Sequence, residues 1–337
     1  MRRRSLTMAG LVAIACGGQL ACGAGQVGGG GGGSGGGTDA GASAGNGGTS
    51  ASGGNGGTSA SGGNGGTSAS GGNGGAAGSA TGGAGGSGGG GSVSPVTIWI
   101  AGDSTVATGT APCPIGWGGQ FQPLFDERIT VVNSAVAGRS VRTWLYSVQT
   151  VMDSTGECVL DRDASGNPVL QAHWQAMLDG MKAGDYLLIQ FGINDSSPTC
   201  DRHVGVAAFE QSYGYMAQAA KDRGAHPVFI TPVSSISCNG STARPSRAPY
   251  DAATKDAGTQ YGVPVLDLET ASVALYNARG FCPIPGGGDV SATTTGPVGD
   301  FFCDDHTHFS AMGAPVIAQL VADAIRQQGL PLSAYLK

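Results

Sequence analysis

A membrane-spanning segment is the first thing this chain of 337 residues lacks. Its N-terminal apolar core, Met8–Ala15, falls well short of the roughly 20 residues a spanning helix needs. An excess of basic charge is missing too: 17 Lys and Arg stand against 23 Asp and Glu, a formal charge of −6. With no basic stripe, nucleic acid is excluded as a natural partner. No cysteine pair has Cys-x-x-Cys spacing, which removes the commonest zinc-binding pattern and leaves no metal to assign. Between residues 23 and 94 the chain has almost no apolar side chains, so that stretch cannot bury a core.

What fills those first 94 residues is a leader and a spacer. Arg2, Arg3 and Arg4 precede the short apolar core, so residues 1–22 read as a secretory signal. Ala13-Ile14-Ala15-Cys16 resembles a bacterial lipobox, with Cys16 the expected lipidation site and Gln19-Leu20-Ala21-Cys22 a poorer second match. Residues 23–94 are nearly all Gly, Ser, Ala, Thr and Asn, with the unit Asn-Gly-Gly-Thr-Ser-Ala-Ser-Gly-Gly starting at Asn46, Asn55 and Asn64. That composition describes a flexible tether with an r.m.s. reach of about 45 Å. The expected product is a bacterial protein exported to the cell surface, touching the membrane only through a lipid. It should be a monomer.

Residues 95–337 alternate strand and helix. Short apolar runs at Val96–Ala101, Ile129–Asn133, Tyr186–Phe191, Pro227–Thr231 and Val263–Asp267 predict five buried parallel strands. Helical spacing predicts a short turn over Phe121–Phe125 and helices over Trp174–Met181, Ala207–Arg223, Tyr250–Tyr261, Ala271–Arg279 and Ala314–Gln328. The result is one three-layer α/β domain. The Gly-, Pro- and Thr-rich stretch Pro283–Asp300 predicts a long loop. Six cysteines lie in this part: Cys113, Cys158, Cys200, Cys238, Cys282 and Cys303. An even count behind an export signal predicts disulfides, although six cysteines allow fifteen pairings. The expected pairs are Cys200–Cys238, joining loops after neighbouring strands, and Cys282–Cys303, pinning the loop before the last helix. Cys113–Cys158 is left by elimination.

Four blocks carry chemistry. Gly102-Asp103-Ser104-Thr105 follows the first strand, at the sheet end where open α/β proteins bind ligands. Asn133-Ser134-Ala135-Val136-Ala137-Gly138-Arg139-Ser140 follows the second strand and Gly192-Ile193-Asn194-Asp195 the third. Asp305-His306-Thr307-His308-Phe309-Ser310 precedes the last helix. In this order they supply the parts an acyl-transfer serine needs.

Together the blocks resemble the SGNH (GDSL-like) hydrolases, and within them the rhamnogalacturonan acetylesterase group, carbohydrate esterase family 12. The run Asn133 to Trp144 is the segment most specific to that group. The resemblance implies a flavodoxin-like fold with strand order 2-1-3-4-5 and no cofactor. It implies Ser104 as nucleophile, His308 as general base and Asp305 as the acid that orients it. It also implies an oxyanion hole made by the Ser104 N–H, the Gly138 N–H and the Asn194 amide. Gly138 also suits a turn requiring positive φ, and Asn194 an Asx-turn. His306 is the rival base, but its residue three earlier is Cys303, which cannot serve as the acid. Ser310 reads as a cap for the final helix. Ile193 stands where family members often carry His. Asp103, Arg139 and Arg142 are candidate substrate contacts, the arginines for carboxylates of a galacturonate-containing backbone, with structural salt bridges as the alternative. The implied partner is an acetylated plant cell-wall polysaccharide, rhamnogalacturonan first. Acetylxylan esterase, lipase and lysophospholipase are the neighbouring activities, and a non-catalytic carbohydrate-binding module is the reading from another class.

Overall fold

The computed structural model describes residues 95–284 and 296–337. The expected signal at 1–22, the lipidation site Cys16 and the tether at 23–94 lie outside the described residues, as does most of the loop expected over 283–300.

Five parallel strands form the central sheet: β1 (Val96–Gly102), β2 (Ile129–Asn133), β5 (Tyr186–Gln190), β6 (His226–Ile230) and β9 (Val265–Leu266). Their spatial order is β2-β1-β5-β6-β9, the implied 2-1-3-4-5 arrangement in terms of the sheet's own strands. Between β2 and β5 come a helix α1 (Val141–Leu145), a hairpin of β3 (Val148–Met152) and β4 (Cys158–Leu160), and α2 (Ala172–Gly180). The long helix α3 (Val206–Lys221) connects β5 to β6, and a small hairpin, β7 (Cys238–Asn239) and β8 (Thr242–Ala243), precedes α4 (Tyr250–Tyr261). After β9 come α5 (Leu268–Ala278), α6 (Gly296–Phe301) and α7 (Gly313–Gln327).

The two-residue period of the strands divides the core in two. Ile98, Ile100, Leu188, Val228 and Ile230 face a layer containing Trp117, Phe121, Tyr276 of α5, and Ile317, Val321 and Ile325 of α7. Ala101, Leu187, Ile189 and Phe229 face the other way, onto Trp144 of α1, Trp174 of α2, Phe209 and Tyr213 of α3, and Ala253 and Ala257 of α4. Burial on both faces explains why β5 reads as an unbroken apolar run. Each such Leu, Ile or Phe contributes about 1.5–3 kcal/mol of burial free energy.

Three expectations change. Only Val265 and Leu266 of the anticipated strand Val263–Asp267 pair with β6, because this strand lies at the sheet edge. Phe121–Phe125 holds a single 3₁₀ turn, Gln122–Leu124, with Pro123 inside it. Part of the expected 283–300 loop is the helix α6. The hairpin β3–β4 and helix α1 carry too few residues to show a period. Ser140 and Thr143 nonetheless close a reciprocal cap that starts α1.

Candidate active site

Ser104 sits on the tight turn that leaves β1, 9 % exposed. The turn is held from below. Asp103 Oδ1 accepts from both the Thr105 N–H and the Thr105 hydroxyl, each at 2.8 Å. Thr105 Oγ1 in turn accepts from Gln190 Nε2 at 2.8 Å, and Gln190 Oε1 accepts from the Trp117 indole at 2.8 Å. Asp103 is fully buried. Burial pushes its carboxyl up to about 6, although the Thr105 hydrogen bonds pull the other way. The expectation that Asp103 contacts substrate is therefore wrong: its side chain points into the protein and shapes the serine turn.

The loop before α7 brings a histidine to that serine. His308 Nε2 lies 2.6 Å from Ser104 Oγ across 204 positions of sequence. Its Nδ1 pairs with Asp305 Oδ2. Asp305 Oδ1 accepts the backbone N–H groups of Thr307 (3.0 Å) and His308 (2.9 Å), so one carboxylate both builds the turn and orients the ring. Partial burial would raise the Asp305 carboxyl, but hydrogen bonds from the His308 backbone, its imidazole and Thr307 outweigh this and hold it below the usual value. With Nδ1–H donated to Asp305, Nε2 is left as the acceptor of the Ser104 hydroxyl's hydrogen bond. His306 takes the opposite course. It has a φ of 52° and is 1 % exposed, and burial lowers its pKa. Ser310 Oγ accepts from the N–H groups of Met312 (3.0 Å) and Gly313 (3.2 Å) at the entry to α7, two residues ahead of the N-cap position, which Met312 occupies.

Two further loops meet Ser104 from neighbouring strands. Val136 N–H donates to Gly102 O at 3.0 Å, anchoring the loop after β2 beside the Ser104 turn. Gly138 has φ +75°, a conformation that favours glycine, so the turn requirement and an open backbone N–H coincide there. Among the described residues, neither the Ser104 nor the Gly138 N–H donates to another group. Asn194 Nδ2 donates to Arg139 O at 3.0 Å, and Asn194 Oδ1 accepts from Arg202 Nη1 at 3.3 Å. Those two bonds fix the amide so that its NH₂, with one hydrogen to spare, lies on the Arg139 side. Asp195 staples both loops. Its Oδ1 accepts from Val141 N–H (2.9 Å) and its Oδ2 from Gly192 N–H (2.8 Å). It is fully buried, which pushes its carboxyl up to about 7 against those bonds, with the Asp103 charge adding to the rise.

A profile of the GDSL-like lipase/acylhydrolase family matches residues 100–314, which contain every one of these groups. The chain belongs to the GDSL-like lipase/acylhydrolase family. It is an esterase of that family. A protein from Bacillus subtilis (strain 168) named rhamnogalacturonan acetylesterase RhgT is 32 % identical, over 72 % of this chain and 94 % of its own. A rhamnogalacturonan acetylesterase from Emericella nidulans is 24 % identical, over 70 % of this chain and 87 % of its own. The crystal structure of YxiM from Bacillus subtilis shares the fold, with a TM-score of 0.52 at 22 % identity. That match covers 70 % of this chain, which spans only 57 % of the YxiM chain.

In this acylhydrolase the cysteines pair differently from expectation. Cys113 bonds Cys303, and Cys238 bonds Cys282. The first pair forms because the loop before Trp117 lies along the histidine loop, where Ile115 N–H donates to Phe309 O at 2.9 Å and Ala311 N–H to Pro112 O at 3.1 Å. The second forms because the β7–β8 hairpin packs beside the end of α5, whose Asn277 exchanges hydrogen bonds with the Ala243 backbone of β8. Cys158 and Cys200 are buried free thiols. Burial first, and then the neighbouring Cys200 thiol, pushes Cys158 up to about 12. None of the three anticipated pairs occurs, since chain order says nothing about which distant loops share an edge.

The two arginines also part company. Arg142 turns inward: Nε and Nη2 donate to Cys158 O at 2.9 and 2.6 Å, and Nη1 lies 3.9 Å from Glu157 Oε2. It braces the β3–β4 hairpin and is not a substrate contact, the structural alternative having prevailed. Arg139 stays at the site, its carbonyl taken by Asn194. Sequence reasoning missed Arg202 and Arg247 altogether. Arg247 is half-buried, donating to Val233 O (3.0 Å) and to Ser235 Oγ, which is bonded to Thr307 of the histidine loop at 2.8 Å. Nothing in a loop of mixed composition marks such residues. Gln190 and Asp195 did carry a signal, since a polar side chain ending a buried apolar run must find partners. Beside Asp305 and His308 opens a groove of about 550 Å³, walled by Pro112, Pro114, Phe302 and the Cys113–Cys303 bridge.

Proposed function

We propose that this esterase removes O-acetyl groups from plant cell-wall polysaccharide, with acetylated rhamnogalacturonan as its substrate, through an acetyl-Ser104 intermediate. The observation that carries the proposal is the hydrogen-bonded series Ser104 Oγ, His308 Nε2, His308 Nδ1 and Asp305 Oδ2. The names and lengthwise coverage of the relatives from Bacillus subtilis and Emericella nidulans support the choice of substrate.

In the proposed sequence, Ser104 Oγ attacks the acetyl carbonyl carbon while His308 Nε2 takes its proton. Asp305 stabilises the imidazolium. The carbonyl oxygen becomes an oxyanion facing the Ser104 N–H, the Gly138 N–H and Asn194 Nδ2, each such donor lowering the barrier by roughly 3–4 kcal/mol. Collapse breaks the bond to the sugar oxygen, which leaves as a hydroxyl with the proton from His308. Water, deprotonated by His308, then attacks acetyl-Ser104 and releases acetate. Export through residues 1–22 and tethering through lipidated Cys16 and the spacer complete the reading, supported by the basic leader and the lipobox-like Ala13-Ile14-Ala15-Cys16.

The test is acetate release by the full chain, native and Ser104→Ala, from acetylated rhamnogalacturonan, acetylated xylan and an aryl acetate. The expected result is fastest release from the pectic polymer and none from the variant. Turnover of the aryl ester alone would remove the pectic assignment. Undiminished release by Ser104→Ala would remove the mechanism.

A further inference from the structure

Arg202 lies beside two of the proposed oxyanion donors, yet no step of hydrolysis requires it. Its loop leaves β5 just after Asn194. One arm of the guanidinium, Nη1, donates to Asn194 Oδ1 at 3.3 Å. The other, Nη2, lies 3.9 Å from the point a Cβ on Gly138 would occupy, so the cation spans the two loops that carry the proposed oxyanion donors. Its side chain is 47 % exposed. Among the described residues its one ion pair is with Asp201, 3.7 Å from Nε, whose own side chain is 60 % exposed. A pair that open to water holds its partners weakly. Three of the five guanidinium N–H bonds remain for a ligand in the fork geometry that suits a carboxylate. Arg142, one of the two arginines that sequence puts forward for this task, is turned instead toward Cys158 O and Glu157 of the β3–β4 hairpin.

We propose that Arg202 is the specificity-determining residue for acidic sugars: it binds the carboxylate of a uronate whose acetyl group occupies the Ser104 site. The inference rests on the esterase reading above and adds to it the charge that selects the substrate. An acetyl ester on a ring hydroxyl and the carboxylate of the same or the adjoining ring lie within about one sugar's width of each other, as do the oxyanion loops and the exposed face of Arg202. The domain is acidic overall, so a polyanion needs a local cation to offset the general repulsion. Because Arg202 also holds Asn194, a carboxylate drawn to it lands beside a donor already fixed for reaction.

The experiment compares two oligosaccharides on the full chain: acetylated rhamnogalacturonan with free carboxylates, and the same material with its carboxyls reduced to neutral hydroxymethyl groups. An aryl acetate reports any general loss through Asn194, and the ratio of kcat/KM for acidic over reduced substrate cancels that loss. The native enzyme is expected to favour the acidic form by about 10- to 100-fold, the range of one charge-assisted hydrogen-bonded contact. In Arg202→Gln that preference falls to near one, mostly through KM, while Arg202→Lys keeps part of it. An unchanged preference in Arg202→Gln overturns the proposal. So does a native enzyme that deacetylates both forms equally, which would leave the esterase reading intact. A native enzyme that releases acetate from neither oligosaccharide overturns both readings together.

Discussion

Asp195→Asn is the most informative perturbation of this scaffold. Asp195 is buried beneath the site, where its carboxyl is pushed up to about 7 from an ordinary value near 4. The folded protein therefore holds a proton on this group between about pH 4 and 7 that the unfolded chain has lost. Stability falls with pH wherever the native state binds more protons. The contribution of this group is thus fully present below pH 4 and is lost as pH rises through 7. Three pH units at 1.36 kcal/mol each come to about 4 kcal/mol. Asparagine does not titrate, so the native-minus-variant difference in stability should shift against the native protein by that order across the window. In a domain of this size this corresponds to roughly 10 °C of relative change in Tm. Melting curves of both proteins from pH 4 to 9 measure it directly. Curves that stay parallel would refute the claim that Asp195 is charged only at a cost. The same variant replaces one acceptor with a donor facing Val141 or Gly192, so kcat on an aryl acetate should fall even where the fold is intact.

Two further outcomes follow from the site's supports. Gln190→Leu leaves the Trp117 indole N–H without its acceptor, an orphaned buried group that costs about 1–3 kcal/mol, and takes from the Thr105 hydroxyl one of its two bonds, the one to Asp103 remaining. Both Tm and kcat on aryl acetate should drop, and a kcat equal to the native value would show that the network beneath Ser104 does not position it. Arg142→Ala removes the brace on the β3–β4 hairpin. It should lower Tm while changing kcat/KM on neutral and acidic esters by the same factor, and a selective rise in KM for the acidic substrate would restore Arg142 as a substrate contact.

The layers of the fold were legible because they follow from local chemistry. Five short apolar runs that can only be buried on both faces, separated by helical periods, permit little besides a parallel sheet wrapped by helices. The helix Tyr250–Tyr261 was readable to the residue because Gly262, at φ +59°, ends it in the left-handed conformation. Short elements outside the sheet, such as β7, β8 and α6, were not readable, because their form is set by what they pack against.

At the site the division is the same. Ser104, Gly138, Asn194, Asp305 and His308 were picked out because the blocks that carry them, three after strand ends and one before the last helix, resemble those of the SGNH hydrolases. Asp103 was visible but misassigned, since the letters Gly-Asp-Ser do not say which of two adjacent side chains points inward. The pairings of Cys113 with Cys303 and of Cys238 with Cys282, the retirement of Arg142 into the hairpin and the placement of Arg202 over Asn194 were decided only in three dimensions. Sequence determines what each segment can form and which residue types can do chemistry. Which distant side chains meet is settled by how the loops at one end of the sheet are laid against each other, and that depends on every packed layer beneath them.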